Sequence, residues 1–301
     1  MRQPLLGLTA VSKALRTPFS RQPGFRVGPI DLTIAEAEIV GLIGANGAGK
    51  TSTIKLILGL LVPDSGRVEI AGVSAAEDSW RSIVGYLPEQ PAFYDYLTGF
   101  EFMRFAGQLF GLESAALGGR VDQLLERVGL SDARHRPIRT YSKGMLQRLG
   151  LAQALLNDPK LLIMDEPMSG LDPLGRRFVR DLMLELRGEG RSILFSTHII
   201  PDAEFVCDRV ALMRAGRLAA LGTFDELLGI PTEFEVACVT SRSSSAGTEK
   251  KRMSIRVNQH HLSATINDIV SQGSQLVSVS PVRTSVEDLL AAPPAPKGKS
   301  A

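Results

Sequence analysis

An α/β fold with a mostly parallel central sheet is predicted by three features of the sequence. Apolar, β-branched runs of strand length recur along the chain, amphipathic helical patterns lie between them, and the first run passes through a glycine-rich loop straight into a helix. Strands that alternate with helices feed a parallel sheet, because a crossover connection brings each new strand in beside the last with the same direction.

The first run is EIVGLIG, Glu38 to Gly44, apolar almost throughout and so expected to be buried on both faces. GANGAGKT follows directly, Gly44 to Thr51, and then STIKLILGLLVP, in which Ile54, Ile57, Leu58 and Leu61 recur at helical spacing as far as Pro63. The loop matches G-x-x-x-x-G-K-[ST]. Gly44, Gly47 and Gly49, with Ala45, Asn46 and Ala48 between them, let the backbone curl until successive N–H groups face inward, and the helix beginning around Thr51 and Ser52 adds its positive end. Lys50 then reaches β- and γ-phosphates while the Thr51 hydroxyl serves Mg²⁺. A glycine-rich turn that happens to contain lysine is the bland alternative; the strand before the loop and the helix after it argue against that.

KLLIMDEP, Lys160 to Pro167, is a second buried strand, closed by Asp165 and Glu166. Carboxylates at the C-terminal end of a parallel strand sit where α/β sheets bind ligands. Asp165 is placed to join the Mg²⁺ shell and Glu166 to orient and deprotonate a water. A lone acidic pair after a strand is usually a solvated strand end; a phosphate loop in the same chain shifts the balance to function. RSILFSTH, ending in His198, and RVALMRAGRL, from Arg209, have the length of further central strands. Between the second and third strands, Asp172 and Pro173 open a helix, Leu174, Phe178, Leu182 and Leu186 line it, and Gly188 and Gly190 close it. Ahead of Lys160, Ser142 is a good N-cap for a helix carrying Leu146, Leu149, Gln153 and Leu156 on one face and ending at Asn157–Pro159. That helix start, with a hydroxyl and Gly144 beside exposed N–H groups, is a second anion site, which one nucleotide held at Lys50 does not need.

Bulk composition narrows the partners. A hydrophobic content of 44% in 301 residues fills one large domain and a small one. With 34 Lys+Arg against 32 Asp+Glu the net charge is +2, so no overall field draws the chain to nucleic acid or anionic lipid, and no nucleic-acid partner is expected. Two cysteines, Cys207 and Cys238, have no metal-type spacing and suit a reducing compartment. The N-terminus lacks an apolar block of signal-peptide length, and no stretch is long enough to span a bilayer, so a cytoplasmic location is expected, with any membrane role a peripheral one.

Taken in order, these motifs resemble the ATP-binding subunit of an ABC transporter, over about Leu5 to Thr223. GANGAGKT is similar to the Walker A loop, LLIMDEP to Walker B with its catalytic glutamate, SGLD at Ser169 to Asp172 to the D-loop, and His198 to the switch histidine. YSKGM, Tyr141 to Met145, is similar to the signature motif in the form found in the drug, antibiotic and polysaccharide exporter branch that pairs with ABC type 2 permeases. The resemblance implies a P-loop NTPase cassette over 1–223, with an antiparallel N-terminal β subdomain and an inserted helical subdomain at about 90–158. It implies ATP and Mg²⁺ as cofactors, Glu166 and His198 as catalytic residues, and a head-to-tail dimer of identical or different cassettes. In that dimer Ser142 and Gly144 hold the γ-phosphate of the partner's nucleotide, and Asp172 also faces it. The partner is an integral-membrane permease at the inner face of the cell membrane.

Three positions depart from the family pattern. In YLPEQP the lid glutamine falls on Glu89, with Gln90 beside it, and either reaches Mg²⁺ or the attacking water. The adenine-stacking aromatic falls on Leu15, with Phe19 and Phe25 downstream, and Phe19 is the preferred candidate. The glycine usual before EIVGLIG is Ala37, a change expected to be harmless. After the lid, Phe93, Tyr94 and Tyr96 are expected to help form the groove that receives the permease, while Phe100, Phe102 and Phe105 pack the helical subdomain.

From Phe224 to about residue 292 the pattern is a small α+β domain. FEVACV, RMSIRV and QLVSVS alternate like strands, LSATINDIVSQG reads as a helix and SRSSSAGTEKK as a polar loop. TSVEDLL is similar to the close of many exporter cassettes, and residues 293–301 read as a disordered tail. Two other functions compete with the leading one, an ATPase that powers a separate permease. A soluble ABC protein acting on ribosomes or DNA usually has two cassettes or a long coiled coil, neither of which occurs, and a P-loop kinase or GTPase has no use for YSKGM or SGLD.

Overall fold

Alternation between buried and exposed positions shapes β1 (Leu6–Leu15) and β2 (Phe25–Ile34), which pair antiparallel. In the computed structural model, which describes residues 4–15, 24–228, 233–244 and 247–282, the chain divides into two compact units, residues 1–223 and 224–301. Phe19, the segment TSVEDLL and the expected tail at 293–301 lie outside the described residues.

The larger unit is built on two sheets. β1 pairs with β2 on one side and with β4 (Ser65–Ile70) on the other, and β5 (Val73–Ser74) completes an antiparallel sheet in the order β2-β1-β4-β5. The second sheet has six strands. Its centre is β3 (Ile39–Ile43), β7 (Leu161–Met164) and β8 (Ser192–Thr197), each buried at every residue as strands covered on both faces must be. With β6 (Val84–Leu87), β9 (Arg209–Arg214) and β10 (Arg217–Gly222) the order is β10-β9-β3-β8-β7-β6, parallel except for β10. The run RVALMRAGRL is thus one central strand and half of an edge hairpin rather than a single strand, because Ala215 and Gly216 adopt left-handed turn conformations in its middle. Leu6, Ile30 and Leu32 of the antiparallel sheet share a core with Leu42, Leu194 and Ile57.

Helix α1 (Lys50–Ile57) leaves the C-terminal end of β3 and is shorter than its apolar spacing suggests. Gly59, at φ +66, reverses the chain, and the Leu60 and Leu61 N–H groups both donate to the Lys55 carbonyl, so Leu61 belongs to the turn. Between β6 and β7 lie α2 (Gly99–Leu109), α3 (Ser114–Arg127) and α4 (Lys143–Ala154). Thr98 and Glu101 form a reciprocal capping box at the start of α2, and Met103, Leu117, Val121 and Leu125 bury the facing stripes. α5 (Pro173–Gly188), with Pro173 at its first position, precedes β8, and α6 (Ile200–Val206) follows it.

Ala37 is not neutral. It stands at φ +55 in the turn before β3, a conformation that costs a Cβ-bearing residue about 1 kcal/mol or more and that glycine adopts freely.

In the smaller unit α7 (Phe224–Leu228) comes first, followed by β11 (Glu233–Ser244), β12 (Gly247–Asn258), α8 (Gln259–Ser271) and β13 (Gln275–Val282). The sheet order is β12-β11-β13, and Val236, Cys238 and Ile269 are its buried core. Most of the segment expected as a polar loop instead extends the hairpin, with ladder pairs running on to Ser244 and Gly247. The ladder is closed by backbone N–H and C=O groups, which these residues carry whatever their side chains. Among the described residues no helix is long and apolar enough to cross a membrane.

Candidate functional site

The loop after β3 and the carboxylates after β7 reach the same edge of the sheet from opposite sides of β8. Gly47 and Gly49, at φ +80 and +106, curl the loop around the start of α1. A cleft of about 610 Å³ lies there, lined by residues 45–52 together with Phe25, Glu89, Glu166, Ser169 and His198.

Lys50, on the first turn of α1, is 6% exposed, and its Nζ donates to the Gly44 carbonyl at 2.6 Å. The same ammonium lies 3.2 Å from Glu166 Oε1. The other oxygen, Oε2, is 2.9 Å from His198 Nδ1. An ionised carboxylate only accepts, so His198 presents its Nδ1 proton to Glu166. Glu166 is therefore gripped at both oxygens while its backbone stands at φ +48. The adjacent Asp165 is 1% exposed and is held from β8, where Ser196 Oγ donates to Asp165 Oδ1 at 2.6 Å and accepts the Glu166 N–H at 2.8 Å. Burial, with the Asp165 charge second, pushes the neighbouring Tyr86 phenol up to about 12, so it stays protonated beside the carboxylate.

The hard oxygen donors near Lys50 are Thr51 and Glu89 in the lining and the buried Asp165 next to Glu166, with the His198 ring already turned to Glu166. No group of three or more His, Cys, Asp or Glu side chains is gathered for a metal among the described residues. This set suits a hard divalent ion that keeps waters and phosphate oxygens in its shell, as Mg²⁺ does, and not a closed protein cage.

Several expected site residues lie outside this cleft. Ser142 caps α4, accepting the Met145 N–H at 3.3 Å, and is exposed with Gly144 half-buried behind it. Asp172 caps α5 through the Gly175 N–H at 2.9 Å. Of the two lid candidates, Glu89 lines the cleft and Gln90 does not. Sequence reasoning ranks Phe25 behind Phe19 and gives Ser169 and Ser196 no role of their own. Phe25, 39% exposed, is the aromatic beside the loop, whereas Leu15, half-buried, packs against the core. Ser169 lines the cleft, and Ser196 ties the carboxylates. A serine placed directly after the apolar residues ILF, two before His198, was the signal available for the last.

The segment that presents Ser142 is tied down on both sides. Tyr141 is buried and its hydroxyl donates to the Ala133 carbonyl at 2.7 Å, while Gln147, one turn into α4, donates to the Pro167 carbonyl at 2.8 Å. The β9–β10 turn braces the phosphate loop from the other side: Gly216 donates to the Ala48 carbonyl at 2.9 Å and accepts the Gly28 N–H at 2.6 Å. A Cβ at Gly216 would run into the Arg26 carbonyl.

Beyond the lid, Phe93 packs edge-on against the buried Phe102, with ring centroids 5.0 Å apart. Phe93 is therefore anchored on one side by the core of the helical region and remains partly exposed on the other. Phe105, expected to be packed, is instead 39% exposed and meets Tyr94 at 5.7 Å, and Tyr94 meets Tyr96 at 6.0 Å, giving an open aromatic cluster.

Comparison with known proteins bears on this arrangement. Residues 27–169 match a family model described as ABC transporter. An uncharacterized ABC transporter ATP-binding protein of Nostoc sp. is 46% identical over 207 residues, which are 68% of this chain and 62% of that relative. A fluoroquinolones export ATP-binding protein of Mycobacterium tuberculosis is 39% identical over 226 residues, 74% of this chain and 70% of the relative. A solved structure described as the ATP binding subunit of an ABC transporter superposes with a TM-score of 0.66 at 35% identity, covering 74% of this chain and 91% of that one.

Proposed function

Because this chain belongs to the ABC transporter family of ATP-binding subunits, which are ATPases, we propose that it powers export through a separate integral-membrane permease of the type 2 kind, as half of a head-to-tail cassette dimer. The observation that carries the reading is the convergence of Lys50, Glu166 and His198 in the cleft formed by residues 45–52. Likeness to a fluoroquinolones export ATP-binding protein supports export as the direction.

In this reading the loop N–H groups and Lys50 hold the β- and γ-phosphates, and Phe25 stacks on the base. Thr51, Asp165 and Glu89 would hold Mg²⁺, which supplies charge neutralisation at the phosphates. When a phosphate engages Lys50, Glu166 gives up that ion pair and keeps His198, which aims it at the water it deprotonates. Ser142, exposed at the N-terminus of α4, and the half-buried Gly144 beside it supply the γ-phosphate contacts for the nucleotide held by the partner cassette, and Asp172 faces that junction. The partner cassette is a second copy or a different chain, and the assembly sits at the cytoplasmic face of the membrane through its permease.

The test is Glu166→Gln. It should retain ATP binding, lose hydrolysis by about 10²-fold or more, and shift from monomer to dimer on size-exclusion chromatography when ATP is added. Adding Ser142→Ala should weaken that shift. Normal turnover by Glu166→Gln would remove Glu166 as the base, and an ATP-induced dimer indifferent to Ser142 would remove the trans contact.

A further inference from the structure

We propose that Ser196 is a positioning residue for hydrolysis, one hydroxyl on β8 that sets the metal-side carboxylate and the base relative to each other. The inference rests on the assignment of Asp165 and Glu166 given above. Ser196 is fully buried in a strand whose preceding residues are Ile193, Leu194 and Phe195, where an unbonded hydroxyl would be costly. Both of its hydrogen-bonding directions are used. The Glu166 N–H can only donate, so the Ser196 oxygen accepts it at 2.8 Å, and its own proton must go to Asp165 Oδ1 at 2.6 Å. The second bond is charge-assisted and short, which fixes the rotation of the Asp165 carboxylate about its side-chain axis.

The first bond matters for a different reason. Glu166 is a non-glycine residue at φ +48, a conformation that persists only where its surroundings enforce it. Ser196 holds the N–H of that residue, and so holds the backbone from which the Glu166 side chain reaches both Lys50 and His198. Removing the hydroxyl frees the Asp165 carboxylate to rotate and lets the Glu166 backbone relax, two changes that act on the metal and the base and leave the loop contacts to phosphate in place. Outer-sphere partners of metal ligands typically change metal affinity by about 10–100-fold.

The experiment compares Ser196→Ala and Ser196→Cys with wild type and Asp165→Asn. Affinity for a fluorescent ATP analogue is measured in EDTA and then across a Mg²⁺ titration, with hydrolysis followed in parallel. Both serine variants should bind the analogue in EDTA within about two-fold of wild type, need about ten-fold more Mg²⁺ to reach half of its effect on binding, and turn over about ten-fold more slowly. Cysteine keeps the volume with a weak donor, so it carries the readout if alanine does not fold. A wild-type Mg²⁺ dependence in a folded variant overturns the proposal, as does equal weakening with and without metal, which marks a purely structural serine. If Asp165→Asn also leaves the Mg²⁺ dependence unchanged, the assignment of Asp165 itself has failed, and not only the role of Ser196.

Discussion

Lys50 Nζ lies 3.2 Å from Glu166 Oε1, so the cation expected to hold phosphate and the carboxylate expected to deprotonate water share one ion pair among largely buried atoms. Lys50→Ala should lower ATP affinity at least ten-fold by removing the charge that faces the phosphates. It also leaves an almost fully buried carboxylate with His198 as its one side-chain partner, so the variant should be less stable, and Glu166→Gln in the same chain should restore part of the loss. Thermal melts of the two single variants and the double one would read the coupling, expected at about 1–3 kcal/mol. Strictly additive melts would show that the pair contributes nothing to the fold.

Phe25 stands at the mouth of the cleft on β2, where an aromatic face suits a purine. Phe25→Ala should raise the KM for ATP several-fold with little change in kcat, and Phe25→Tyr should stay near wild type. An unaltered KM in the alanine variant would place the base against some other surface.

The cluster of Tyr94, Tyr96 and Phe105 is a surface that large aromatics occupy mostly where a partner covers them. The double change Tyr94→Ala and Tyr96→Ala should leave ATP hydrolysis by the isolated subunit near normal and reduce recovery of the permease with it. Full recovery of the complex together with full transport would put the docking surface elsewhere.

At Ala37 the substitution runs toward the conformation. Ala37→Gly relieves the φ +55 strain, and although glycine adds freedom to the unfolded chain, the net should be a gain of up to about 1 kcal/mol. Chemical denaturation reads this directly; a loss of stability would mean that the alanine methyl makes contacts that outweigh the strain.

What could be read from the chain alone was chemistry carried by contiguous residues. Residues 44–51, the pair Asp165 and Glu166, and the caps Ser142 and Asp172 each combine a local pattern with a local geometry, and all lie where those patterns imply. What could not be read depends on contacts between segments far apart in sequence. Ser196 is ordinary until β8 is known to lie beside β7, and Phe25 is one of several aromatics in a long connection until β2 is seen to end at the cleft. The end of α1 lies inside a run whose apolar spacing continues past it, and the hairpin at Ala215–Gly216 lies between two stretches of strand-like sequence; in both, one or two left-handed residues decide where the chain turns. Phe105 departs from its expected packed role for a similar reason: composition marks a cluster of aromatics, but only packing shows which rings the core has taken.

Gly216 has no functional group, yet it braces the phosphate loop through the Ala48 carbonyl, receives the Gly28 N–H, and leaves no space for a side chain beside Arg26. In a survival screen of random substitutions it should rank with Lys50, while its exposed neighbour Arg217 should accept most replacements. Genetic intolerance in this protein will therefore map joints as well as chemistry, and an inactivating change at position 216 would be a fault in the frame that holds the nucleotide rather than in any group that reacts with it.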